Sequence, residues 1–391
     1  MNAGRELEYW MPAQQQLLLR TLCVGDDVAG SAFNDWSHGA DWEDHFDRGS
    51  FRLLPAVYKR IEALNIDDPA KGRLRGLYRR SWYRNQRFLR TSTKLHDLLK
   101  ERGIDVLLLG DLALAAGYYQ NVGARFVTGS DLLVRPLQAA DAFAAMRSAG
   151  WRFDAHEPDR LDYRRSVSFL DPLGEPGTLR WHPCGDRNEE SLRLFWGTSI
   201  PPRTDTSSMP VPGPTAMLLF LLGEMLEQES WTMAVLLADA NAVIGHIEFD
   251  WQQLLSEART HRFAWTLGRM LGCLHGTFGV SMPEQVLQQL SADSSGFCER
   301  LELRLYSEKQ RDRESLLTPV ATTVARYLRF ARGSTAGEAV VRSPEFLRQY
   351  YGTKNLLQIV MRLLGNGMRR AVRLLARTLR RAPQHMTGAG R

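Results

Sequence analysis

Hydrophobic positions along the chain change their spacing twice, and each change marks a different kind of element. Near the start, "AQQQLLLRTL" and "SFRLLPAVYKRIEAL" read as helices, with the looser "GSAFNDWSHGADWEDHF" between them. Over residues 70–102, Leu74, Leu77, Tyr78, Ser81, Phe88, Ser92, Leu95 and Leu99 recur mostly at three- or four-residue steps, predicting one long helix with a single buried stripe. Its other faces carry Arg73, Arg75, Arg79, Arg80, Arg84, Arg87, Arg90 and Lys94. Asn85 lies near the apolar stripe, where it suits a loop carbonyl or a pocket lining.

The spacing then shortens. "DVLLLG" predicts a buried strand, "DLALAAGYYQN" a helix, "SDLLVRP" a second strand stopped by Pro136, and "LQAADAFAAMRSAG" a helix ended by Gly150. "WRFDAH" reads as a strand, and "SVSFLDPLGEPGTLRWHP" as a hairpin whose turn comes from Asp171-Pro172 and Gly174 to Gly177. After a Pro-rich linker at 201–214 the helical spacing returns. "TAMLLFLLGEM" and "WTMAVLLADANAVIG" are too short for membrane spans and contain acids, so they read as buried helices. The expectation is an α+β fold: a small mixed β-sheet of four or five strands set between helical regions. Its divisions are a helical cap at 1–102, an α/β core at 103–200, helices at 201–345, and a basic helix and tail at 346–391.

Charge alters this picture at one end. The net charge is +6, but residues 354–391 hold nine Lys or Arg and no acid. The remainder has 41 basic against 44 acidic residues, about −3. In the tail, Leu357, Val360, Leu364, Met368, Ala371, Leu375 and Leu379 make one helical stripe; Arg370, Arg373, Arg377 and Arg380 make another. Residues 354–382 would therefore suit an anionic partner: a membrane surface, a nucleic acid or an acidic protein groove. A terminal helix packed on its neighbours reads equally well. At the other end, Gln14 to Gln16 interrupt any apolar leader, and the four scattered cysteines have no zinc spacing, so a reduced cytoplasmic location is expected.

For chemistry, the strand ending at Gly110 matters most. A glycine between strand and helix lets backbone N–H groups approach an anion, because no Cβ blocks the way. Asp111 follows, either as a first-turn acid favoured by the helix dipole or as a ligand. Asp131 stands on the next strand, as a ligand or as a strand-end residue holding a backbone N–H or an arginine. No Walker motif, HExxH or G-x-S-x-G occurs, and "GNGMRR" follows no strand.

The order "LLPAVYKRI", "RNQRFLRTSTKLHDLLKERGIDVLLLGDLALA", "SDLLVRP", "LRWHP" and "WTMAVLLADANAVI" resembles a bacterial family of uncharacterised nucleotidyltransferases, within the polymerase-β-like superfamily, over roughly residues 10–290. The resemblance implies transfer of a nucleotidyl group from an NTP to an unknown acceptor with Mg2+. It makes Asp131 the remaining catalytic metal ligand; Asp111, an acid placed where a phosphate should approach, is the other candidate catalytic residue. Gly110, Ser130, Arg125, Arg135 and Arg180 would bind nucleotide or position the strand. Several positions depart from the family pattern. Leu109 replaces a lysine, Gly129 the first of two paired acids, Thr178 the third acid, and Arg180 a histidine. One carboxylate is a poor site for two Mg2+ ions, so replacement oxygens would have to come from Asp111, Asp171 or Glu175. The alternative is a non-catalytic binding or scaffold protein that reuses the cleft and presents its basic C-terminal helix.

Overall fold

The computed structural model describes residues 11–42, 46–153, 164–184, 189–203, 207–227, 233–246, 249–293, 296–310, 318–331 and 342–348. The basic helix expected at 354–382 lies outside the described residues. Three helices open the described chain: α1 (Ala13–Cys23), α2 (Asp26–Gly39) and α3 (Arg48–Ala63). Asp47 starts α3, its carboxylate accepting from the N–H groups of Gly49 at 2.9 Å and Ser50 at 3.0 Å. α4 (Lys71–Lys100) is the long helix, spanning about 45 Å at 1.5 Å per residue. Its buried stripe runs Leu74, Ser81, Asn85, Phe88, Leu89, Ser92, Leu95, Leu99; of the positions the spacing predicts, Leu77 and Tyr78 are only half-buried.

The sheet has the order β1-β2-β5-β4-β3. β1 (Val106–Leu109) is antiparallel to β2 (Ser130–Val134), with Leu109 opposite Asp131. β2 runs parallel to β5 (Pro176–Arg180), placing Asp131 beside Thr178. β5 and β4 (Ser166–Leu170) form the expected hairpin, and β3 (Arg152–Phe153) adds an edge. Two short helices connect strands: α5 (Gly110–Gly117) after β1 and α6 (Ala139–Ser148) after β2. The segment expected as a linker covers the open edge of β1. Leu108 donates its N–H to the Pro210 carbonyl at 2.9 Å, and Ile200 bridges Val211.

Next come α7 (Glu189–Gly197), α8 (Pro214–Glu227), α9 (Met233–Ile244), α10 (Trp251–Thr260) and α11 (Ala264–Phe278). They are followed by α12 (Glu284–Ala292), α13 (Phe297–Gln310) and α14 (Thr318–Phe330). α8 and α9 are apolar nearly all round and are buried, Ala216 to Leu222 completely. No helix among the described residues is long and apolar enough to cross a membrane. One cluster of buried side chains runs from Met11 to Tyr306, unbroken at residues 102 and 200.

Candidate functional site

The site forms where β1 ends. Gly110 takes φ +62°, and a Cβ there would lie 2.7 Å from the Asp131 Oδ2 atom, so glycine is required both for the turn and for the neighbour. Asp131 is thus pressed against the turn between β1 and α5. Ser130, one residue earlier on β2, shares a 3.0 Å hydrogen bond with the Ser92 hydroxyl on α4. The long helix is tied to β2 at this point.

Asp111 lies at the centre of a buried network. Its two oxygens accept from Arg52 Nη2 at 2.9 and 3.0 Å, from Arg125 Nη2 at 2.8 Å, and from the Thr128 N–H at 3.1 Å and hydroxyl at 2.6 Å. Arg125 also grips Asp239 of α9 in a fork, Nε to Oδ1 at 2.7 Å and Nη2 to Oδ2 at 2.8 Å. Tyr119 donates its hydroxyl to Asp239 at 2.8 Å. Asn85 holds the loop that carries Arg125, donating to the carbonyls of Val122 at 2.6 Å and Arg125 at 2.7 Å. Arg52, Asp111, Arg125 and Asp239 are all at least nine-tenths buried.

A second network adjoins the first across Asp131. Arg180 of β5 donates both Nη atoms to Glu224 of α8, each at 2.9 Å, and Nη2 approaches Asp131 Oδ2 at 3.4 Å. Arg165 stands 3.8 Å from the same glutamate. Phe220 lies under the Arg180 guanidinium, 5.5 Å from its ring centre. Glu224 is 1% exposed and Arg180 2%, whereas the Asp131 side chain keeps 21%.

These surroundings set the protonation preferences. Burial alone would raise the Asp111 carboxyl, but Arg125, then Arg52 and the two Thr128 hydrogen bonds outweigh it and hold it below the ordinary value of 3.8. Burial lifts the Asp131 carboxyl above that value; Arg180 pulls against this, and the Glu224 and Asp111 charges add to it. Burial likewise lifts Asp239 against the pull of Arg125. The Asp111 carboxylate therefore contributes stability that is complete above pH 3.8 and is lost as pH falls through its lower folded value. Asp131 and Asp239 act in the opposite sense, and the Asp111 charge raises both, so comparison with Asp111→Asn reports the carboxylate together with its effect on these two neighbours. The stability difference between wild type and Asp111→Asn, about 2 kcal/mol at pH 7, should shrink steadily in urea titrations taken below pH 4.

Of the residues singled out in the sequence, Gly110, Asp111, Arg125, Ser130, Asp131 and Arg180 gather at this end of the sheet. Arg135 does not: it sits at the far end of β2, paired with Asp105 at 3.0 Å and stacked on Trp196 at 4.5 Å. Asp171 turns its carboxylate onto its own hairpin, accepting from the N–H groups of Leu173 and Glu175 at 2.8 and 2.7 Å. Glu175 faces Arg87 at 3.2 Å and Arg84 at 3.8 Å. A Cβ on Gly129 would lie 2.8 Å from the Pro176 carbonyl oxygen, so the place of the first acid is closed by backbone. Among the described residues no group of three His, Cys, Asp or Glu could hold a metal ion.

Arg52, Glu224 and Asp239 went unnoticed in the sequence as site residues. Two of them did leave a signal there. Glu224 and Asp239 are acids set among apolar residues inside helices, where a charge needs a partner.

Residues 48–279, more than half of the chain, match a family described as uncharacterised nucleotidyltransferase. No curated protein matches the chain.

Proposed function

We propose, from the premise that this chain belongs to the uncharacterised nucleotidyltransferase family, that it uses the nucleotidyltransferase-like fold as a binding or scaffold module rather than for metal-dependent transfer. The observation that carries this reading is the Arg180 guanidinium, forked onto Glu224 and reaching Asp131. A fixed positive charge stands among the carboxylates of the acidic strand and its neighbours. The residues present do not fit a pair of Mg2+ ions. Magnesium needs near-octahedral oxygen ligands with lone pairs to spare. Both Asp111 oxygens are already committed to two arginines and Thr128. Asp131 faces Arg180, Gly129 and Thr178 supply no carboxylate, and Asp171 and Glu175 are engaged elsewhere. Four acids, Asp111, Asp131, Glu224 and Asp239, are offset by four arginines, Arg52, Arg125, Arg165 and Arg180. A cluster neutral in itself gives a divalent cation little to neutralise.

The partial exposure of Asp131 beside the Gly110 turn favours the competing reading, in which transfer chemistry persists through one carboxylate. Full-length protein incubated with each of the four NTPs should give no Mg2+-stimulated release of pyrophosphate, and Asp131→Asn should change nothing. Turnover that requires Mg2+ and disappears in Asp131→Asn would overturn the binding reading. The family's first acid should also prove impossible to restore cheaply. Gly129→Asp should lower the urea midpoint by about 1–3 kcal/mol in stability, because the obstructing Pro176 oxygen is backbone and cannot swing aside.

A further inference from the structure

The outer face of α4 is occupied by neither network. With 100° per residue, Arg80, Tyr83, Arg87, Arg90 and Lys94 fall within an arc of about 80°, along a track of about 21 Å. All five are exposed, Tyr83 to 65%, and Trp82 beside it to 45%. From residue 71 to 96 the helix contains no Asp or Glu. Arg87 meets Glu175, but no carboxylate among the described residues pairs with Arg80, Arg90 or Lys94. A merely solvated face would normally alternate charges; this one presents only cations, with the Tyr83 ring among them.

We infer that this face of α4 binds single-stranded nucleic acid, with Arg80, Arg90 and Lys94 on phosphates and Tyr83 stacked on a base. Guanidinium and ammonium groups spaced along one line track a phosphate backbone, and an exposed ring accepts any base on its face. A duplex would use the cations but leave the ring idle, because its bases are already stacked. A lipid surface fits less well, since a membrane-bound helix inserts an apolar face, and that of α4 (Phe88, Leu95, Leu99) is buried in the protein core. The inference holds whether or not the cleft below does chemistry. Ser92 and Asn85 join the opposite, buried side of α4 to the site, whereas on the track itself Arg87 meets Glu175 of the β4–β5 turn.

The test uses the full chain, so that any contribution of the basic tail is common to all variants. A fluorescein-labelled 20-nucleotide oligouridylate is titrated by anisotropy at several salt concentrations. Arg80→Glu combined with Arg90→Glu and Lys94→Glu should weaken binding at least tenfold and flatten the slope of log affinity against log salt by about 2, at roughly 0.7 per phosphate contact. Tyr83→Ala should weaken it about fivefold or more with the slope unchanged. Thermal melting by circular dichroism checks that each variant folds; if the charge-reversed chain does not, Arg80→Gln with Arg90→Gln replaces it, with a proportionally smaller loss. Absence of binding by the wild type, or undiminished binding by the charge variants, overturns the inference and assigns any affinity to other residues. A silent Tyr83→Ala, with equal loss of binding to phosphatidylserine vesicles in the charge variants, also overturns it, in favour of a generic polyanion contact.

Discussion

Arg125→Met should bring the protein close to unfolding at room temperature. Arg125 is 2% exposed and answers two carboxylates at once, Asp239 through a fork and Asp111 through Nη2. Removing the guanidinium leaves Asp239, wholly buried on an apolar helix, with the Tyr119 hydroxyl as its remaining donor among the described residues. An uncompensated buried charge costs about 3–5 kcal/mol, a large part of the roughly 5–15 kcal/mol that holds a domain together. Asp111 suffers less, because Arg52 and Thr128 still hold it. The loss should thus be mostly a matter of Asp239, which a second substitution can test. Arg125→Met with Asp239→Leu should recover most of the stability in urea titrations, since two apolar groups replace a buried pair with little net cost. If the double variant were no better than the single one, the damage would lie in the loop held by Asn85 rather than in the unpaired charge.

This network also explains how much of the site could be read along the chain. β1, β2 and the β4–β5 hairpin were visible because alternation, Pro136 and the Asp171 turn are local signals. Gly110 was visible for the same reason: a strand meeting a helix at glycine has few interpretations. The absence of carboxylates at Gly129 and Thr178 is plain in the sequence. What could not be found there were the partners of the buried charges. Arg180 answers Glu224 from 44 residues away, and Arg125 answers Asp239 from 114. Such pairings depend on the tertiary placement of α8 and α9, which no local pattern encodes. The two acids in those apolar helices excluded a membrane span when read alone; read for their partners, they would have pointed to buried arginines. Asp111 reads differently too. It occupies the helix first turn as expected, yet its oxygens serve arginines from α3 and the 122–128 loop rather than the helix end.

Arg180→Met should cost about as much as Arg125→Met in principle, about 3–5 kcal/mol, because Glu224 is 1% exposed and loses both short hydrogen bonds. Arg165, 3.8 Å away and partly in solvent, is a weak substitute. The companion variant Arg180→Met with Glu224→Met should return near wild-type stability, and the double-mutant cycle would then give a coupling energy of about 3 kcal/mol. A distinct consequence follows at Asp131, whose carboxyl already titrates above 3.8 and is restrained by Arg180. Without that guanidinium it should rise further. A group with a raised folded value binds more protons folded than unfolded between the two values, so stability falls with rising pH across that window. Arg180→Met should accordingly lose more stability between pH 4 and pH 7 than the wild type does, and Asp131→Asn in the same background should remove part of the excess, the rest belonging to the unpaired Glu224. If Asp131→Asn left that excess unchanged, the Arg180 charge would be acting on Glu224 alone, and Asp131 would lie outside the network rather than at its exposed end.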